Sequence, residues 1–152
     1  EIVTRNVPVG DIEFASLRAR GRTPMGSAFR LARELIEDRE EFPSRSFLPT
    51  IALVSDGIPT DPSWEPELQL LLDSDRGKKA ARFALAIGAD ADHKLLSRFS
   101  GGDVHRASQA AEIRKFLQFV TMTITQATMS RRFEPEVDSP ESILRLQSDD
   151  AF

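Results

Sequence analysis

Apolar positions recur along this chain in two rhythms. A continuous run, Ile51-Ala52-Leu53-Val54, enters the break Ser55-Asp56-Gly57, the pattern of a strand buried on both faces and ending in a turn. Such a strand is expected near the centre of a sheet. Residues 82–87, where Phe83, Leu85 and Ile87 alternate with arginine and alanines, predict a second strand stopped by Gly88, and residues 103–106 predict a third, shorter one. The other rhythm is helical. Ala28, Leu31, Ala32, Leu35 and Ile36 fall on one face, with Arg30, Arg33, Glu34 and Glu37 opposite, after a Thr23-Pro24 start in which Thr23 caps and proline takes the first helical position. Residues 65–72 predict a helix with Leu68, Leu71 and Leu72 inward. Asp90 or Asp92 caps a third carrying Leu95, Leu96 and Phe99, which stops at Gly101-Gly102. Ser108 opens a long fourth helix with Ile113, Phe116, Leu117, Val120 and Ile124 on one stripe, ending near Ser130.

This order of elements predicts an α/β fold, a doubly wound, mostly parallel sheet with helices on both faces and right-handed crossovers. Three strands are fewer than the roughly five or six of a typical sheet. Residues 1–22 add one or two short strands at most, because Pro8 and Gly10 suit an edge. The domain therefore takes in residues 1–129. Residues 130–152 read as a flexible acidic tail: from Arg131 onward, three arginines face six acids, a balance of −3. Residues 142–146 could form one helical turn that docks through Ile143, Leu144 and Leu146.

Charge and composition narrow the classes. A net charge of −4 gives no general attraction to nucleic acid or anionic lipid, and 40% apolar residues fill a core at this length. Arg18, Arg20 and Arg22 share a face in extended backbone; a solvated loop explains them better than an anion-binding ridge. No run approaches the roughly 18 apolar residues of a membrane span. With no cysteine, the chain has neither disulfides nor thiolate chemistry, which permits a cytoplasmic location.

Candidate chemistry gathers at Asp56. In an open α/β sheet ligands bind beyond the carboxyl ends of strands, which is where Asp56 stands. Alone it serves equally as a ligand or as an Asp-Gly turn former. Thr23, at the head of the preceding helix, is first a cap. Together they offer a hydroxyl and a carboxylate from neighbouring loops, the oxygen donors that Mg²⁺ prefers. Enzyme motifs are absent: there is no phosphate-binding glycine loop, and Leu53 stands where a nucleophile elbow at Ser55 needs glycine. A phosphoaspartate enzyme built on Asp56 has Ile58 where a second carboxylate is often found. His93 and His105 lack metal-ligand spacing and read as surface or capping residues. Trp64, between Pro62 and Pro66, suits a loop anchor or an exposed contact.

The phrases Gly21-Arg22-Thr23-Pro24-Met25-Gly26-Ser27-Ala28 and Leu53-Val54-Ser55-Asp56-Gly57-Ile58-Pro59-Thr60-Asp61 resemble a von Willebrand factor A domain. More narrowly, they resemble the bacterial group similar to the TerY proteins of tellurium-resistance operons. Ala84 to Asp92 fits the next strand and loop, and the resemblance covers about residues 1–127. It implies a non-enzymatic, cytoplasmic interaction module in a stress-response or defence complex. In that family a metal-ion-dependent adhesion site holds Mg²⁺, Mn²⁺ or Ca²⁺, and an acidic residue of a protein partner completes the shell. By resemblance Thr23 and Asp56 are metal ligands, and Ser55, Gly57, Asp61 and Trp64 lie at the partner contact. Neither nucleic acid nor a membrane is expected as partner. The family's Asp-x-Ser-x-Ser loop occurs nowhere in these 152 residues, and its first strands would precede Glu1. The chain thus matches the last two-thirds of such a domain. Three explanations stay open: a piece of a longer polypeptide, one half of a split or cleaved domain whose N-terminal half is a separate chain, or a degenerate domain without metal. The first two are preferred. The metal is expected only if the missing loop is supplied from outside. The alternative function is a metal-dependent phosphoryl-transfer hydrolase using Asp56.

Overall fold

The computed structural model describes residues 2–4, 7–12, 21–43 and 46–132. They form a mixed α/β fold in the order α1 (Met25–Glu37), β1 (Thr50–Ser55), α2 (Trp64–Asp73), β2 (Ala81–Ile87), α3 (His93–Ser100), β3 (Val104–Ala107) and α4 (Ala110–Arg132). The three strands make one parallel sheet in the order β1-β2-β3, with Thr50 opposite Ala81 and Ala84 opposite Val104. Contacts divide the chain into two units, Glu1–Val120 and Thr121–Phe152.

In the first unit, alternation along β2 separates two cores. Ala84 and Ala86 pack with Met25, Phe29 and Ile36 of α1, Leu68 and Leu71 of α2, and Leu95, Leu96 and Phe99 of α3. The small alanine side chains let these helices approach closely. Leu85 points the other way, into a smaller cluster with Ala107 and with Phe116 and Val120 of α4. Both faces of β2 are therefore covered.

β1 departs from the sequence expectation of a central strand buried on both faces. Among the described residues it pairs only with β2 and stands at an edge. Ile51 and Leu53 pack on the larger core, whereas Ala52 and Val54 are exposed, Val54 by 40%. The apolar run reports a strand suited to burial but says nothing about which neighbours it receives, and the residues of α4 that pack on the sheet meet β2 and β3.

Helix α1 is rotated from its predicted face. Met25, Gly26, Phe29 and Ile36 are buried, while Ala28 is exposed. The aromatic anchor Phe29, stacked on Phe99 at 5.9 Å, sets the inward face. Helix α2 matches expectation, with Leu68 and Leu71 fully buried and Leu72 packed beside them. Asp92 is the cap of α3, accepting from the Leu95 amide at 3.0 Å, and Gly101 ends the helix in the left-handed region at φ 84°. At the start of α4, Ser108 donates its amide and hydroxyl to Glu112, which also accepts from the Gln109 amide. Phe116 and Val120 face inward as predicted; Leu117, half exposed, does not.

Before α1, residues 2–4 and 7–12 form no strand; a 3₁₀ turn at Val9–Asp11 follows Pro8. Arg18 and Arg20 lie outside the described residues. In the second unit, residues 121–132 continue α4, and the hydroxyls of Thr125, Thr128 and Ser130 each donate to the carbonyl four residues earlier. The rest of the tail lies outside the described residues. None of the described helices is long and apolar enough to cross a membrane.

Candidate functional site

The carboxyl end of β1 is built from two loops stitched together. Ser55, 6% exposed, folds its hydroxyl back on Gly57, donating to the carbonyl at 3.2 Å and accepting from the amide at 3.4 Å. The chain therefore turns sharply and leaves Asp56 exposed at the tip. Beyond the turn, the Thr60 amide donates to the Thr23 carbonyl at 2.9 Å, and the Thr23 amide donates to the Thr60 hydroxyl at 3.1 Å. This reciprocal pair fixes the backbone before α1 against the loop after β1.

Asp61 completes the stitch. Its carboxylate accepts from the amides of Gly26 and Ser27 at 3.2 and 3.3 Å and from the Ser63 hydroxyl at 3.1 Å. It thus caps α1 from another loop, putting negative charge where the helix leaves free amides. Thr23 was expected to cap; the residue preceding α1 is instead Pro24, with no side-chain cap bond. Proline at the boundary pushes the cap role outward, and the downstream carboxylate takes it. Gly26 makes this possible, because a Cβ there would meet Asp61 Oδ2 and Ser63 Oγ at 2.6 Å.

Freed from capping, the Thr23 hydroxyl faces the turn that follows Asp56: a Cβ on Gly57 would lie 3.3 Å from Thr23 Oγ1. The structure therefore brings Thr23 and the Asp56-Gly57 turn together. The other residues predicted at the contact have structural tasks: Ser55 holds the turn, Asp61 caps α1, and Trp64, at the first position of α2, packs against the larger core. Sequence reasoning missed Thr60, Gly26 and Ser63. Asp61-Pro62-Ser63 is a helix-start phrase, but it reads as the start of α2, which follows it directly, rather than of α1.

Among the described residues no three acidic or histidine side chains gather to hold a metal. Asp61 is engaged by α1, so this strand end offers the Thr23 hydroxyl and the Asp56 carboxylate, two of the roughly six oxygens that Mg²⁺ takes. Hydroxyl and carboxylate are the oxygen donor types that a hard cation prefers, but two of them do not make a shell. No family model, curated protein or solved structure matches this chain.

Proposed function

We propose that this chain is the larger part of a von Willebrand A-like, doubly wound module whose function is binding rather than catalysis. In this reading Thr23 and Asp56 contribute to a Mg²⁺-dependent contact, with Mn²⁺ or Ca²⁺ as substitutes. An Asp-x-Ser-x-Ser loop from outside these residues supplies further oxygens, and a carboxylate of a protein partner fills the remaining position. The observation that carries the reading is the approach of the Thr23 hydroxyl to the Asp56-Gly57 turn. The cation, when bound, supplies a positive centre that bridges two sets of anionic oxygens. This chain's own contribution is to hold Thr23 by the Thr60 pair and to present Asp56 to solvent on a turn stiffened by Ser55. By resemblance, the module serves as a scaffold in a cytoplasmic bacterial stress-response or defence complex.

Calorimetric titration of Mg²⁺ into residues 1–152 combined with an N-terminal piece bearing Asp-x-Ser-x-Ser tests it. Asp56→Ala is expected to abolish the binding heat without changing the thermal melt, since the side chain is exposed. Equal Mg²⁺ affinity in the variant would remove Asp56 from the site.

A further inference from the structure

The opposite side of the sheet presents a different surface. Among the described residues β3 pairs only with β2. The Gly88 amide donates to the Ala107 carbonyl at 2.9 Å, so the backbone groups of Ala107, and by alternation those of His105, face β2. Those of Val104 and Arg106 face outward, ready to pair.

Beside this edge lies an aromatic cleft between β3 and α4. The His105 ring is tilted against Phe116 and Phe119 at 5.2 and 5.3 Å, and Phe119 meets Phe83 edge-on at 5.6 Å. His105 and Phe119 line two neighbouring hollows, of about 700 and about 450 Å³. Arg106 and Lys115 border the smaller one, both exposed; the charge of Lys115 acts on the Glu112 carboxylate, whereas Arg106 is neither hydrogen-bonded nor ion-paired with another described side chain. Glu112, on the same rim, is turned to the amides of Ser108 and Gln109. Asp103, exposed, lines the larger hollow together with Arg82, whose guanidinium donates to the carbonyls of Phe99 and Gly77. The charge at the smaller hollow with no described partner is therefore the positive one of Arg106.

We propose that the outer edge of β3 and this cleft dock an acidic, extended segment of a partner protein. The segment adds as a strand beside Val104–Ala107, its acids beside Arg106 on the face that Ala86 shares, and its alternate, apolar side chains against His105 and Phe119 on the other face. Main-chain bonds supply affinity, and the alternate side chains supply selectivity. A second copy of this chain is the poorer occupant. A short edge bearing positive charge resists pairing with its own kind, because it brings the arginines and lysines of both copies together. The proposal is independent of the Thr23–Asp56 reading.

The test uses two end-blocked, fluorescein-labelled peptides, Glu-Phe-Glu-Val-Glu and Lys-Phe-Lys-Val-Lys, titrated with residues 1–152 carrying Val54→Lys, which blocks pairing at the exposed β1 edge, and followed by anisotropy. The acidic peptide is expected to bind saturably, with affinity falling as salt rises, roughly tenfold or more weaker binding to Arg106→Glu, and a smaller loss in Lys115→Glu, which lies across the sheet from the acids. Hydrogen exchange should slow at the Val104 and Arg106 amides when it binds. Both substitutions are at exposed positions, so an unchanged thermal melt separates lost binding from lost folding. Equal binding of the two peptides, no saturation by about 1 mM, or full affinity in Arg106→Glu would overturn the proposal. So would self-association of the free protein that Arg106→Glu abolishes.

Discussion

At the scale of single residues, Gly26 shows how a position can matter for what it lacks. It is helical and buried, and alanine is intrinsically the better helix former by about 1 kcal/mol. Yet the added methyl would press on the Asp61 carboxylate and on the Ser63 backbone carbon, at 2.6 and 2.8 Å. Gly26→Ala is therefore expected to destabilise by about 1–3 kcal/mol, read as a lower urea midpoint. An unchanged or higher midpoint would show that Asp61 can move aside without loss. Asp61→Ala removes the cap while creating no clash and should cost about 1 kcal/mol. None of this was legible in the sequence around α1, because the partner of Gly26 lies 35 residues away. Asp56, by contrast, was legible: an apolar run followed by Ser-Asp-Gly locates a strand end without knowledge of its neighbours.

At the scale of elements, two helix-end carboxylates tie stability to pH. Glu112 is held below its ordinary range by the amide and hydroxyl of Ser108 and the amide of Gln109. For Glu37, at the last turn of α1, burial pushes the carboxyl up, but the Arg76 amide, the Ser74 hydroxyl and the Gly77 amide together outweigh it. A lowered carboxyl favours the native state above its unfolded value, and the contribution disappears as pH falls through the folded one. Both contributions are thus present above about 4.5, the ordinary glutamate value, and are lost in acid. Glu112→Gln is expected to speed hydrogen exchange at Ser108 and Gln109 at neutral pH and to flatten the acid limb of the stability curve. An acid limb identical to that of the parent protein would rule Glu112 out as a contributor. Element positions were largely written locally, as with Asp92 and Gly101 around α3. The rotation of α1 was not, because Phe29 faces inward through its stacking on Phe99, a partner 70 residues later in the sequence.

At the scale of the whole molecule, the outstanding feature is the outer edge of β1, which has no strand partner among the described residues. The strand carries no charge from Thr50 to Ser55 and exposes Ala52 and Val54, so nothing on it discourages pairing. Residues 1–152 alone are expected to self-associate or aggregate in sedimentation experiments. Val54→Lys should suppress this without loss of thermal stability, because Val54 is already exposed. A separate strand bearing Asp-x-Ser-x-Ser should act as the lysine does, by occupying the edge. A soluble monomer with one cooperative melt and no response to that strand would show that the sheet needs no further member. Parallel pairing and element order could be anticipated from the alternation of strands and helices. The strand at the edge could not, since hydrophobicity records burial and is silent on hydrogen-bond partners.

The stitch between the two loops also bears on how the chain comes to be folded. Helix α1 has no side-chain start signal of its own, and the carboxylate that secures its first turn belongs to Asp61. During synthesis, α1 leaves the ribosome ahead of that residue, so the Gly26 and Ser27 amides meet their carboxylate only once β1 and its following turn have emerged as well. The first turn of α1 is thus completed only by docking onto the loop after β1, a long-range contact that its own residues do not encode.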